Sequence, residues 1–167
     1  MKRLIISVAA WFVLAGWWGS VHAGTPKQKS DVGDKPILVV TTDIGGDPDD
    51  QQSLTRLLVY SNEFDIQALI ASASGTRGEL GVDTVKEQLI REYVSAYGAV
   101  YGMLKENDSG YPAPDSLMAR ICKGNPHRGM EHIGEGEDTE GSEQIIRVVD
   151  SAGDRSVSYT HLRAHET

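Results

Sequence analysis

Four carboxylates lie close together in the segment Thr41-Thr-Asp-Ile-Gly-Gly-Asp-Pro-Asp-Asp50: Asp43, Asp47, Asp49 and Asp50. Like charges a few ångströms apart repel, and a bound cation removes that penalty. Donors that are all oxygen select a hard cation, Ca²⁺ or Mg²⁺, over thiophilic metals. The loop has no Cys or His, which argues against zinc. Gly45 and Gly46 permit a tight backbone path between the acids. The spacing is not that of an EF-hand, and no Gly-Lys-Ser/Thr follows to make a phosphate-binding loop. The competing reading is a solvated turn that caps the next helix.

The elements around the loop favour a ligand site over a turn. Ile37-Leu-Val-Val-Thr41 is a continuous apolar, β-branched run, as expected of a strand buried on both faces. From Gln51 to Tyr60, Leu54, Leu57 and Leu58 fall at helical spacing, which predicts a helix with one buried face. Ile66 to Ala71 reads as a second strand, entered from a turn at Asn62-Glu63. Together these make a βαβ unit with a right-handed crossover. The acidic loop then lies at the C-terminal end of a parallel strand, where ligands bind in open α/β sheets. Asp49 and Asp50 open the helix, where the dipole favours negative charge.

Beyond this unit, Ser72 to Gly81 is a small-residue loop and Val82 to Lys105 is helical. Tyr93, Tyr97 and Tyr101 repeat every fourth residue there. Packing of their rings on the sheet is preferred to a sugar-stacking strip. Gly98 and Gly102 suggest close approach of a neighbour. A short helix is expected from Asp115 to Cys122, a long loop from Asn125 to Gly141, and a helix from Ser142 to Asp150. The next strand is due just past Arg155. Arg77, Glu79, Glu140 and Ser142 are secondary candidates for a pocket rim. His127 and His132 are read as solvated, and Cys122 as a small buried hydrophobe.

The two ends are read separately from the core. Met1 to Ala23 (residues 1–23) has Lys2 and Arg3, an uncharged apolar run from Leu4 to Gly19, and Val21 and Ala23 ahead of a cut at Gly24, the pattern of a secretory signal peptide. Residues 24–35 form a polar leader, and residues 36–155 the domain proper. Residues 156–167 are expected to be a non-native tail. Ser158 to Thr167 can be written TCTTATACACATCTCCGAGCCCACGAGAC, which resembles a transposon-based sequencing adapter throughout. The other reading is a natural tail carrying His161 and His165.

The chain has 167 residues, enough for one domain, with 40% hydrophobic and 24% charged residues. That composition suits a globular core rather than a disordered chain. The net charge of −8 argues against a nucleic-acid partner, which requires a basic surface. A single cysteine, Cys122, excludes an intrachain disulfide. No membrane association is expected once the signal is cleaved, and oligomeric state is left open.

The strand ending in Asp-x-Gly, the Gly/Asp loop and the Asp-Asp at the helix start resemble the N-terminal signature of nucleoside hydrolases. Thr41 to Leu58 looks more closely like the nucleoside hydrolase-like domain of secreted bacterial proteins described as cellulose-binding. Phe64-Asp-Ile-Gln-Ala-Leu-Ile70 and Gly134-Glu-Gly-Glu-Asp-Thr-Glu-Gly-Ser-Glu143 resemble further blocks of that domain. The resemblance spans Lys35 to Arg155. It implies an α/β, Rossmann-like open sheet, mainly parallel, with flanking helices and truncated at its C-terminal side. It also implies Ca²⁺-dependent hydrolysis of an N-glycosidic bond in a small sugar or nucleoside-like substrate. By motif, Asp43 would be the general base and a calcium ligand, with Asp50 and Asp49 as further ligands. Three departures accompany the resemblance. Thr41 stands where nucleoside hydrolases have another Asp, the loop between Asp43 and Asp49 is longer, and the later metal and leaving-group residues belong to a C-terminal half beyond this sequence. The chain by itself is therefore expected to be inactive. The alternative is a non-catalytic, secreted carbohydrate-binding protein. A phosphotransfer domain built on a strand-end Asp is disfavoured by the signal sequence and the absence of Asp-x-Asp spacing.

Overall fold

A computed structural model of the chain describes residues 35–74 and 84–162. The signal peptide, nearly all of the leader, Arg77 and Glu79 lie outside these residues. The first strand, β1 (Ile37–Thr42), is buried at every position, as a continuous apolar run requires when both faces are covered. Helix α1 (Pro48–Val59) follows. Its Pro48 sits in the first turn, where a missing N–H costs nothing. A single 3₁₀ turn at Ser61–Glu63 leads into β2 (Asp65–Ala71).

The expected βαβ unit is present, with β1 and β2 parallel. The chain then forms a two-residue antiparallel pair, β3 (Ala73–Ser74) and β4 (Thr84–Val85). Next come α2 (Glu87–Asn107), α3 (Pro114–Met118), β5 (Ile121–Lys123), α4 (Glu140–Ser151) and β6 (Val157–Leu162). The main sheet has the order β5-β2-β1-β6, and all its pairings are parallel. The α/β class and the open parallel sheet are thus as expected.

Two apolar layers cover the sheet. On one face, Leu38, Val40, Leu69 and Ala71 pack with Leu54 and Leu58 of α1, Ile90, Val94 and Tyr97 of α2, and Leu117 of α3. On the other, Ile37, Val39, Ala68, Ile70 and Cys122 pack with Val148 and Ala152 at α4. Strand β1 alternates between the layers with period two. Strand β2 does not, because its register slips between Leu38 and Val39. Leu38 pairs with Ile66 and Val39 with Ala68, so Gln67 is the extra residue of a bulge. The bulge lets Ile66 and Leu69, three residues apart, share one face. Its carbonyl is satisfied by Gln144 Nε2 of α4 at 3.1 Å.

Several boundaries differ from the sequence expectation. Helix α2 begins at Glu87, because Thr84–Val85 pairs with β3 instead. Ile121 and Cys122 do not extend α3; with Lys123 they form β5 against Leu69, Ile70 and Ala71. Tyr97 is buried and its hydroxyl donates to the Pro112 carbonyl at 2.6 Å, so the ring packs as expected. Gly98 lies against Pro114, whereas Gly102 faces open space. Gly141 is where a close approach does require glycine. A Cβ there would meet Ile70 Cγ2 at 2.6 Å. Helix α4 starts earlier than expected, with Thr139 and Ser142 in a reciprocal capping box.

Both ends of the core reach further into the fold than the sequence suggested. Lys35, assigned to the leader, is 6% exposed. Its Nζ donates to the Gly110 carbonyl at 2.7 Å, and its own carbonyl accepts from Arg155 Nη2 at 2.9 Å. Arg155 also pairs with Asp65 at 2.8 Å. Residues 156–167, set aside as a tail, supply β6 through Leu162, paired with β1 from Ile37 to Thr42. The pairing is made by backbone groups, which any extended segment at that point of the chain presents. The adapter origin predicts that genomic resequencing across Arg155, with a library made without transposon adapters, diverges from Val157-Ser-Tyr-Thr-His. A genome that encodes this stretch would overturn that origin.

Candidate functional site

The strand order places the acidic loop. From β1 the chain steps to β2 and β5 on one side, then returns through α4 to β6 on the other side. The order reverses between β1 and β6, which makes the C-terminal end of β1 a topological switch point where ligands bind. Asp43 immediately follows β1.

The loop turns sharply after Asp43. Gly46 N–H donates back to the Asp43 carbonyl at 3.3 Å. Gly45 has a φ of +92°, a conformation that side-chain-bearing residues rarely adopt. A Cβ there would also lie 2.6 Å from Lys86 Cδ and 2.8 Å from Leu89 Cδ1. Lys86, just before α2, donates from Nζ to the Gly45 carbonyl at 3.0 Å. The start of α2 thus clamps the loop from outside.

Helix phase then separates the acids. Asp50 falls on the same stripe as Leu54 and Leu58, and all three are buried. Asp50 is only 2% exposed, whereas Asp47 and Asp49 stand on the solvent side. Burial raises the Asp50 carboxyl to about 7 from 3.8. The charge of Asp43 and the contact between the two carboxyls push the same way, followed by Asp47 and Asp49. Among the described residues, Asp43 Oδ1, Asp50 Oδ1 and Thr42 Oγ1 are buried atoms without a hydrogen-bond partner, unless Asp50 carries a proton to share with Asp43. Such atoms are rare and call for an explanation.

A cavity of about 400 Å³ opens beside Asp43. Ser72, Ala73, Asn125, His127, Arg128 and His161 share its lining. Arg128 comes from the long loop before α4. Its Nη2 donates to the Ala73 carbonyl at 3.1 Å and stands 3.6 Å from Asp43 Oδ2. His161 of β6 lies 3.6 Å from Asp43 Oδ1, and its Nδ1 meets Thr41 Oγ1 at 3.0 Å. His127 is exposed and stacks on His132, with ring centroids 4.7 Å apart.

The structure brings Asp43 and Asp50 together and leaves Asp49 on the outer side of the same turn. Glu140 and Ser142 do not rim the cavity: Glu140 accepts from Lys123 N at 3.1 Å, and Ser142 belongs to the α4 cap. Cys122 is buried, which raises its thiol. Sequence reasoning missed Arg128, because a lone arginine in a Gly-rich loop carries no periodic signal. It also missed that Asp50, not Asp49, is the buried acid. That was legible, since Asp50 precedes Leu54 and Leu58 by four and eight residues.

Among the described residues, no group of three or more His, Cys, Asp or Glu side chains could by itself hold a metal ion. The paired carboxylates nevertheless suit a hard cation in donor type, with backbone carbonyls, waters and ligand hydroxyls available to complete an oxygen shell.

A mainly parallel sheet with flanking helices is consistent with a nucleoside hydrolase-like fold. Residues 37–161 match the family model described as cellulose-binding Sde182, nucleoside hydrolase-like domain, and the chain belongs to that family. The match takes in most of β6. Among solved structures, the chain is similar to a nucleoside hydrolase-related hypothetical protein from Saccharophagus degradans that is described as associated with carbohydrate metabolism. The two are 32% identical, with a TM-score of 0.66 over 75% of this chain and 29% of that one. The chain therefore spans under a third of that relative's length. No curated protein matches significantly. No helix among the described residues is long and apolar enough to cross a membrane.

Proposed function

We propose that this domain is the N-terminal part of an exported, calcium-dependent hydrolase that cleaves the bond between a sugar and a nitrogen leaving group. One observation carries the reading. Asp43 and Asp50 face each other from the two ends of one loop, each with a buried oxygen lacking a partner, beside an open cavity. Two carboxylates kept together at such electrostatic cost are explained by a cation that they share.

In this reading Asp43 and Asp50 would hold the ion, and Asp49 would add negative charge from the solvent side. Calcium would lower the pKa of a bound water and orient sugar hydroxyls. Asp43 takes the proton of the attacking water. A C–O bond forms at the anomeric carbon as the C–N bond breaks, through an oxocarbenium-like state; the departing nitrogen takes a proton from solvent, and Asp43 returns to solvent the one it took from water. Asp50 is itself fixed by the α1 stripe. His161 and Tyr159 receive no role, since they fall in the segment read as adapter-derived.

The test is release of reducing sugar from a panel of nucleosides and other N-glycosides by the full-length protein, in Ca²⁺ and in EGTA. Release is expected only with Ca²⁺. Asp43→Asn should lower kcat by roughly 10²–10⁴-fold, the usual contribution of a positioned base. Absence of release from every substrate, together with retention on cellulose, would favour the second reading of a non-catalytic carbohydrate-binding domain. Two observations favour that alternative: the family description names cellulose binding, and Arg128 already faces Asp43.

A further inference from the structure

We propose that Arg128 is a positioning residue that sets the cation affinity of Asp43 by standing in for the cation when none is bound. This rests on the cation reading above.

The geometry is specific. Arg128 Nη2 is hydrogen-bonded to the Ala73 carbonyl at 3.1 Å, which aims the guanidinium across the cavity at Asp43. Its distance to Asp43 Oδ2, 3.6 Å, is a charge contact and too long for a hydrogen bond. The Arg128 side chain is 45% exposed and that of Asp43 is 20% exposed. Such a contact is weak and readily displaced. It does not resemble the bidentate fork by which arginine locks a carboxylate. The other Asp43 oxygen, Oδ1, is buried with no hydrogen-bond partner among the described residues, and His161 Nε2 stands 3.6 Å from it. Asp43 thus meets the Arg128 guanidinium through one oxygen only, with no hydrogen bond between them.

Electrostatics then couples the two partners. A divalent ion on Asp43 and a guanidinium a few ångströms away repel. At about 6 Å, screened as in bulk water, that repulsion already weakens ion binding about tenfold, and more in a less polar cleft. Arg128 therefore lowers calcium affinity while it steadies the cation-free carboxylates. When the ion binds, the guanidinium loses Asp43 as a partner and keeps its anchor at Ala73.

Calcium titration calorimetry on the full-length wild type, Arg128→Gln and Arg128→Lys tests this. Arg128→Gln should bind Ca²⁺ about tenfold more tightly. Arg128→Lys, which keeps the charge, should stay within about threefold of wild type. A merely structural role predicts the opposite sign, because loosening the cavity wall weakens an ion site. Thermal melts in EGTA check that each variant folds. If wild type binds Ca²⁺ and Arg128→Gln binds it equally or more weakly, the role of Arg128 is overturned and the cation reading stands. If neither protein binds Ca²⁺, the cation reading falls and the role of Arg128 falls with it.

Discussion

In EGTA, the melting temperature of this protein should fall as the pH is raised from about 5 to about 8, and calcium should reverse the fall. The reason lies in Asp50. Its folded-state carboxyl is raised to about 7, above the unfolded value of 3.8, by burial first and by the neighbouring Asp43 second. A group raised in this way holds an extra proton in the folded state between those two values. Its contribution to stability is fully present below about pH 4 and is lost as the pH passes through about 7. Three pKa units correspond to roughly 4 kcal/mol, an upper figure for a site that water can enter. For a domain of this size each kcal/mol moves the melting point by a few degrees. A bound cation replaces the proton and removes the penalty. Its effect should therefore be large at pH 8 and small at pH 5, and at about 100 times its Kd it adds about 2.7 kcal/mol. Glu87, held low by its pairing with Lys123, works in the opposite sense. The comparison that isolates Asp50 is wild type against a variant lacking its charge. A melting temperature that rises with pH equally in both proteins would overturn this account.

That variant supplies the second large effect. Asp50→Asn keeps shape and volume and removes the buried charge. In EGTA at pH 8 it should melt several degrees above wild type, and at pH 5 it should melt close to it. The same change should abolish stabilisation by calcium, since an amide cannot replace an ionised carboxylate as a ligand for a hard cation. Calcium-dependent sugar release should be lost with it. Stability gained together with function lost is the signature of a residue kept for a site rather than for the core. If Asp50→Asn instead lowers the melting temperature at pH 8, Asp50 is a structural group, and the explanation for its orphaned oxygen must be found elsewhere.

The elements that hold this site were legible because their signals are local. The six residues of β1 form an unbroken apolar and β-branched run closed by two threonines, and such a run is stable only between two layers. Leu54, Leu57 and Leu58 set the phase of α1. Those two patterns alone put Asp43 at a strand end and Asp50 on the inner face of a helix, whether or not the rest of the chain is known. Of the two glycines between them, Gly45 is explained by a positive φ and by a close approach of Lys86 and Leu89. The elements missed were those that exist only through partners distant in sequence. Ile121–Lys123 is too short to show a period and becomes a strand because β2 offers an edge. The bulge at Gln67 is stabilised by an amide on α4, 77 residues away.

The sequence by itself determined the chemistry on offer: oxygen donors, a tight acidic loop, an α/β frame to display it and a negative net charge. Tertiary structure decided which acids meet and what opposes them. Asp49 and Asp50 are adjacent and chemically equal, yet packing of the α1 stripe buries one and leaves the other in water. Arg128 reaches Asp43 across 85 residues because β5 and α4 carry its loop over the end of the sheet. Local patterns encode which backbone a segment prefers. The charge environment of a carboxylate is a sum over neighbours in space, and those neighbours are chosen only when the sheet closes its order.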